Sequence, residues 1–165
     1  MTTIIDGSAG ITFPNSTVQA SAGSVLQVVQ GSYSTQVTTT SLTPVTTNVT
    51  ASITPKFSTS KILAIVNLAG CGKNNLTAGS VAYYLYKNAS SVFVSTDVAF
   101  YNSSNAGGNF GNLSFAYLDS PATTSSTTYT IYIAAVGSGA TAYAQNYNAS
   151  QANNTSTITL MEIAA

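Results

Sequence analysis

The groups that run most enzyme chemistry are nearly missing from this chain. Its 165 residues include no histidine, four Lys+Arg and four Asp+Glu. The cations are Lys56, Lys61, Lys73 and Lys87, and the acids are Asp6, Asp97, Asp119 and Glu162. Without histidine, neither a Ser-His-Asp nor a Cys-His arrangement can form. Metal sites built from His and Cys are excluded too, which leaves only oxygen ligands. Two carboxylates at one site could serve glycoside hydrolysis. Asp97 and Asp119 fall near strand or loop ends, but their spacing carries no signature of such a pair. The acids read better as turn formers with Asx-type hydrogen bonds. Glu162, between Met161 and Ile163, reads as a solvated edge residue, with a lysine partner near an intersubunit axis as the alternative. Cys71 is the single cysteine, so an intrachain disulfide is excluded, and it reads as a small buried or half-buried side chain. Gly70-Cys71-Gly72 has Gly-x-Gly spacing, but no Walker-type basic loop and no helical pattern follow. It reads as part of a polar connection over 70–75, not a phosphate cradle. The expectation is a chain with no catalytic, cofactor or metal site, and not an enzyme.

Recognition is the chemistry that remains. The chain has ten tyrosines, nine of them at or after Tyr83. Tyrosine joins a large apolar face to a polar tip, which suits sugar stacking and subunit interfaces alike. Interfaces are the expectation for most of them. Tyr101, Tyr143 and Tyr147, beside polar loops, are the candidates for receptor or sugar contact.

Charged residues are 5% of the chain and hydrophobic residues 44%. The second value is near the globular norm, so a packed core is expected. The first leaves no basic footprint for nucleic acid and no polybasic patch for anionic lipid. So neutral a surface is poorly protected against self-association, and neighbours are expected to cover much of it. The N-terminus, Met1 to Asp6, lacks the basic and apolar regions of a signal peptide. No stretch approaches the ~20 apolar residues of a membrane helix. Synthesis and folding in a cytosol, without secretion or membrane insertion, are expected.

The elements that must carry any contact residues are strands. Lys61 to Ala69 is apolar on both parities and rich in β-branched residues, which predicts a central strand covered on both faces. Val25–Gln30 and Tyr33–Thr40 read as a hairpin across Gly31-Ser32. In Ser80–Lys87, Val81, Tyr83 and Leu85 share one face while Ala82, Tyr84 and Tyr86 share the other. In Asn109–Leu118, Gly111, Leu113, Phe115 and Tyr117 form the inward set. Eight to ten short strands at ~8–12-residue spacing, with no helical period, predict an all-β antiparallel sandwich, best fitted by a jelly roll. It occupies residues 25–165, behind a short β-extension at residues 1–24.

That extension carries Ile4, Ile5, Ile11, Phe13 and Pro14 and is too small to bury its own apolar residues. Either it is the first strand of the domain or it docks on another chain by adding to a sheet edge. Gly10-Ile-Thr-Phe-Pro-Asn-Ser-Thr-Val-Gln-Ala20 resembles the G-I-T-F-P-D-G-T-x-Q-x-x-A signature of bacteriophage virion proteins, especially tail-fibre-like proteins of cyanobacterial and marine phages. Leu26-Gln-Val-Val-Gln30, Ser52-Ile-Thr-Pro55, Ser60-Lys-Ile-Leu63 and Thr157-Ile-Thr-Leu-Met-Glu-Ile163 resemble later blocks of those proteins, in the same order. Asn15-Ser16 departs from the usual Asp-Gly, which puts the turn type in doubt.

The resemblance implies a structural protein of the virion surface, made in the bacterial host cytoplasm. It would be a homotrimeric tail-fibre-type knob with a compact C-terminal jelly-roll-like domain. Its partners would be itself, tail, baseplate or capsid proteins held through residues 1–24, and a host surface glycan. Low charge and apolar residues on both strand parities also favour self-association. A capsid decoration protein clamping neighbouring shell subunits is the alternative. Twenty-four extended residues, at ~3.3–3.6 Å each, hold the knob no more than about 85 Å from its anchor. A polysaccharide-active enzyme on the same fold is a third reading.

Overall fold

The computed structural model describes residues 4–6, 10–12, 18–19, 25–74, 79–95, 100–101, 108–137, 139–145 and 154–164. Every regular element among them is a strand. Three short ones come first: β1 (Ile4–Asp6), β2 (Gly10–Thr12) and β3 (Val18–Gln19). They pair with one another in the order β1-β2-β3, with Ile5 opposite Ile11.

Ten strands follow. They are β4 (Val25–Tyr33), β5 (Val37–Thr39), β6 (Val45–Ile53), β7 (Lys61–Asn74) and β8 (Ser80–Lys87). Then come β9 (Ser90–Ser95), β10 (Asn109–Asp119), β11 (Thr127–Val136), β12 (Thr141–Ala144) and β13 (Ser156–Ile163). All pairings are antiparallel. The larger sheet runs β4-β13-β7, with β10 on the other side of β7; the short β12 and β5 extend it beside the last residues of β7. The smaller sheet runs β6-β11-β8-β9. Setting β5 and β12 aside, one sheet holds the first, eighth, third and sixth strands, and the other the second, seventh, fourth and fifth. That strand order is a jelly roll, two interleaved Greek keys.

Alternation builds the core. From the larger sheet, Ile62, Val66, Leu68, Ile158 and Leu160 point inward. They meet Val49, Ile53, Tyr83, Leu85, Ile131 and Ile133 of the smaller sheet, all essentially without solvent contact. Each such aliphatic or aromatic side chain contributes about 1.5–3 kcal/mol. The expected parities of Ser80–Lys87 and of Asn109–Leu118 are those found.

Three strand expectations are corrected. Lys61–Ala69 is central, flanked by β13 and β10, but only one of its faces is buried. Leu63 and Ala69 are half-covered and Ile65 is exposed. Gly31-Ser32 is not a turn: β4 runs straight through it to pair with β13. Gly31 is needed because a Cβ there would lie 1.8 Å from the Thr50 carbonyl oxygen of β6, at the seam between the sheets. The connection expected over 70–75 is, as far as Asn74, the continuation of β7. Gly72 lets β10 approach, since its Cβ would lie 2.2 Å from the Asn109 carbonyl oxygen.

Candidate functional site

Asp119 and Glu162 are buried side chains on the same inward face, one on each side of Ile62 of β7. Both are fully engaged. Lys87 Nζ donates to the Asp119 carboxylate at 3.0–3.1 Å, and Tyr129 Oη donates to Asp119 Oδ2 at 2.7 Å. Burial, and then the Asp119 carboxylate, push the Tyr129 phenol well above its usual range. Glu162 Oε1 accepts from the Lys56 backbone N–H at 2.7 Å, and its Oε2 accepts from Gln27 Nε2 at 2.6 Å. The same Gln27 nitrogen donates to the Thr54 carbonyl at 2.7 Å. Glu162 therefore ties β4 and β13 to the loop over 54–60, which seals it from water. The solvated edge position, like a lysine ion pair, gives way to this covered one. Burial pushes its carboxyl up, but donation by Gln27 and by the Lys56 and Phe57 amides outweighs this and holds it below the ordinary carboxylate range. These bonds use both carboxylates as clamps between strands. Asp97 lies outside the described residues, as does Asn75.

Cys71 is buried against Tyr83. Burial pushes its thiol up to about 11, so it stays protonated and inert at neutral pH. Burial likewise raises the Tyr83 phenol, which donates to the Tyr143 carbonyl at 3.2 Å.

Tyr83 also links two of the receptor candidates. Phe100 packs edge-on against it, with ring centroids 6.4 Å apart, and the next residue, Tyr101, is 56% exposed. Tyr143, in β12, is half-buried and meets Phe110 edge-on at 5.5 Å. Tyr147 lies outside the described residues. Of the docking candidates, Ile4 and Ile5 lie in β1 and Ile11 in β2, whereas Phe13 and Pro14 lie outside the described residues.

Their placement along β7 separates the two sets. Val25, where residues 1–24 join the sandwich, pairs with Ile163, which pairs with Lys61 at the start of β7. Tyr143 pairs with Gly72, eleven positions further along. At about 3.3 Å per residue this is roughly 35 Å. The segment thus enters at one end of the knob, and Tyr101 and Tyr143 belong to the other.

Two outward faces were not singled out in the sequence. On the smaller sheet, Tyr86 stacks on Tyr132 at 4.2 Å and Tyr84 meets Tyr86 edge-on at 6.3 Å. Beside them the hydroxyl pairs Thr50–Thr130 and Ser52–Thr128 bond across strands at 2.8 and 2.7 Å. The signal for this face was the Tyr84/Tyr86 parity. On the larger sheet, register aligns Val28, Met161, Leu63 and Leu118 in one row across four strands. The next row is Gln30, Thr159, Ile65 and Ala116, and the third is Ser32, Thr157, Asn67 and Ser114. The face grades from wholly apolar to wholly polar. The signal here was the second apolar parity of Lys61–Ala69.

No protein-family model matches the chain, and no curated protein matches it. Among solved structures it is similar to the VP2 subviral particle of infectious bursal disease virus, at 12% identity and a TM-score of 0.40, over 89% of this chain and 42% of that one. It is also similar to the Gx strain of that virus, at 12% identity and a TM-score of 0.37, over 90% and 38% of the two chains. A mutant VP2 in T=1 particles gives 15% identity and a TM-score of 0.36, over 89% and 37%. The chain spans about two-fifths of the length of the solved chains it matches.

Proposed function

We propose that this chain is a non-enzymatic structural protein of a bacteriophage virion, a homotrimeric tail-fibre-type knob at the particle surface. Residues 1–24 dock it to other virion proteins, and the opposite end meets the host surface, where Tyr101 and Tyr143 are the candidate contacts for a neutral glycan. The observation that carries this reading is the polarity of the knob. The segment with the virion-protein motif enters about 35 Å along β7 from the end that bears the exposed tyrosine. The ordered motif blocks and the commitment of Asp119 and Glu162 to internal bonds support it too. The test is the purified particle. Labelling this chain in intact virions should mark the tail at a small multiple of three copies, and incubation with host glycan should give binding without hydrolysis. An unlabelled particle, or cleavage of the glycan, counts against the proposal.

The pairing of β1, β2 and β3 with one another favours a second reading. β1, β2 and β3 run back antiparallel on one another, so the segment reaches well short of the about 85 Å of an extended chain. A short tether suits a decoration protein seated directly on the shell. Label spread over the capsid at hundreds of copies would select that reading.

A further inference from the structure

We infer that the outer face of the smaller sheet is a carbohydrate site of its own, taking a neutral oligosaccharide across its tyrosine stack and the hydroxyl pairs beside it. It lies on the opposite sheet from Tyr143 and does not depend on the distal contacts. Register sets its side chains in three rows. Thr46, Tyr132 and Tyr84 form one, Thr50, Thr130 and Tyr86 the next, and Ser52 and Thr128 the third. Every one carries a hydroxyl and none is charged. Thr46, Thr50 and Ser52 are exposed and the others half-buried. Strands about 4.8 Å apart and rows about 6.8 Å apart make the patch roughly 10 by 14 Å, the size of a short oligosaccharide. Cross-strand pairs steady a sheet whatever it binds. A sheet does not need an outer face made of hydroxyls throughout, and that of the larger sheet grades from apolar to polar instead.

The occupant follows from how the hydroxyls are bonded. Thr50 Oγ1 donates to the Tyr129 carbonyl at 3.1 Å, so in its 2.8 Å contact with Thr130 it is the acceptor and Thr130 the donor. Thr130 Oγ1 keeps its lone pairs for an outside donor. The Ser52–Thr128 contact at 2.7 Å uses one of the two hydroxyl protons and keeps the other for an outside acceptor. The floor thus offers acceptor and donor in fixed directions, with little ordering left to do on binding. A sugar hydroxyl is both donor and acceptor and meets both. An apolar partner would strand these groups without water. A carboxylate finds no cation in the rows, and the Lys87 ammonium, one residue beyond Tyr86, is held by Asp119 at 3.0 Å. Tyr86 on Tyr132 at 4.2 Å, with Tyr84 edge-on to Tyr86 at 6.3 Å, supplies the rigid aromatic surface against which the C–H face of a sugar ring packs.

The test is a printed array of neutral-hexose oligosaccharides, with uronate-bearing ones beside them, probed with the full-length chain and followed by titration with the best-bound member. The native chain should bind neutral members and leave the uronates. Tyr132→Ala should weaken binding at least about tenfold, as loss of a ring from a contact surface commonly does. Thr130→Val, of the same shape without the hydroxyl, should weaken it, and Thr130→Ser should restore it, each with native far-UV circular dichroism. Leu118→Lys, on the larger sheet, should bind as the native chain does. A hydroxyl that serves the sheet alone would lower the unfolding midpoint in Thr130→Val and leave affinity unchanged, which overturns the site. Binding lost in Tyr101→Ala or Tyr143→Ala but kept in Tyr132→Ala overturns it and leaves the distal site standing. A native chain that binds no neutral member, or binds uronates equally well, overturns it too. Should Tyr132→Ala fail to fold, Tyr132→Leu, which keeps an apolar side chain and removes the ring, decides in its place.

Discussion

The two ends of the sandwich are held by different physics. At the proximal end, where residues 1–24 join β4, Lys56, Lys61, Lys87, Asp119 and Glu162 gather around the start of β7. Charged groups there accept or donate hydrogen bonds that tie β4, β8, β10, β11 and β13 together. At the distal end β7 continues through Gly70, Cys71 and Gly72, and contacts are made by close backbone approach and by Tyr83, Phe100, Phe110 and Tyr143. Five of the eight charged residues lie at the end where residues 1–24 join the sandwich, whereas the distal end holds the buried Lys73. The difference teaches that the proximal end is defined chiefly by directional, pH-sensitive bonds, and the far end chiefly by shape.

Shape is the less forgiving of the two. In Gly72→Ala the new methyl would overlap the Asn109 carbonyl at 2.2 Å, with φ at +157°, and nearby backbone is not free to yield. β10 must separate from β7, at a cost of about 4 kcal/mol. Urea denaturation should show the midpoint falling accordingly, by a similar amount at pH 4 and pH 7. A loss below 1 kcal/mol would mean that the distal end is looser than the contrast requires.

At the proximal end, Asp119→Ala leaves the Lys87 ammonium and the buried Tyr129 hydroxyl without their acceptor. Lys87 is partly exposed and regains water, so the cost is about 3 kcal/mol. Asp119→Asn keeps an acceptor for Tyr129 and should lose about half as much. Equal losses would show that a neutral acceptor contributes nothing there and that charge carries the whole effect, whereas no loss in Asp119→Asn would show that charge contributes nothing.

Glu162 supplies the pH dependence. Its carboxyl titrates below the ordinary range in the folded chain, so its contribution is complete above about pH 4.5 and is lost as pH falls through the depressed folded value. Glu162→Gln presents an NH2 group to donors that need an acceptor, and should cost about 2 kcal/mol at pH 7. The variant should also lose less than the native chain on acidification from pH 5 to pH 3. Parallel stability curves would sink the assignment.

How much of this was legible in the sequence depended on what each residue had to meet. The strand parities in Ser80–Lys87 and Asn109–Leu118 could be read because one buried face imposes a period of two. Gly31 and Gly72 could not, because a glycine that admits a neighbouring backbone looks the same in sequence as one that turns a chain. In sequence Gly31 therefore reads as a hairpin turn and Gly72 as part of a connection. The apolar run over Lys61–Ala69 located the central strand, but the second cover it implied is not found: Ile65 on the outer face is exposed. Glu162 looked solvated because its donors, Gln27 and Lys56, are more than a hundred residues away. Of the receptor candidates, Tyr101 and Tyr143 were placed near one end only by the pairing of β12 with β7 and by Phe100 packing on Tyr83.

The smallest effect on stability is expected where the proposed function is concentrated. Tyr101 is 56% exposed and follows Phe100, whose ring does the packing against Tyr83. Tyr101→Ala should therefore change unfolding free energy by less than about 0.5 kcal/mol, as exposed positions generally do. Its binding to host cells should weaken at least about tenfold, because an aromatic ring in a contact surface commonly contributes more than 1 kcal/mol. Phe100→Ala supplies the opposite pattern, since it removes a packed ring and should cost stability first. If Tyr101→Ala binds host cells like the native chain, the distal end is not the contact surface, and the contrast between the ends describes how the knob is built rather than how it is used.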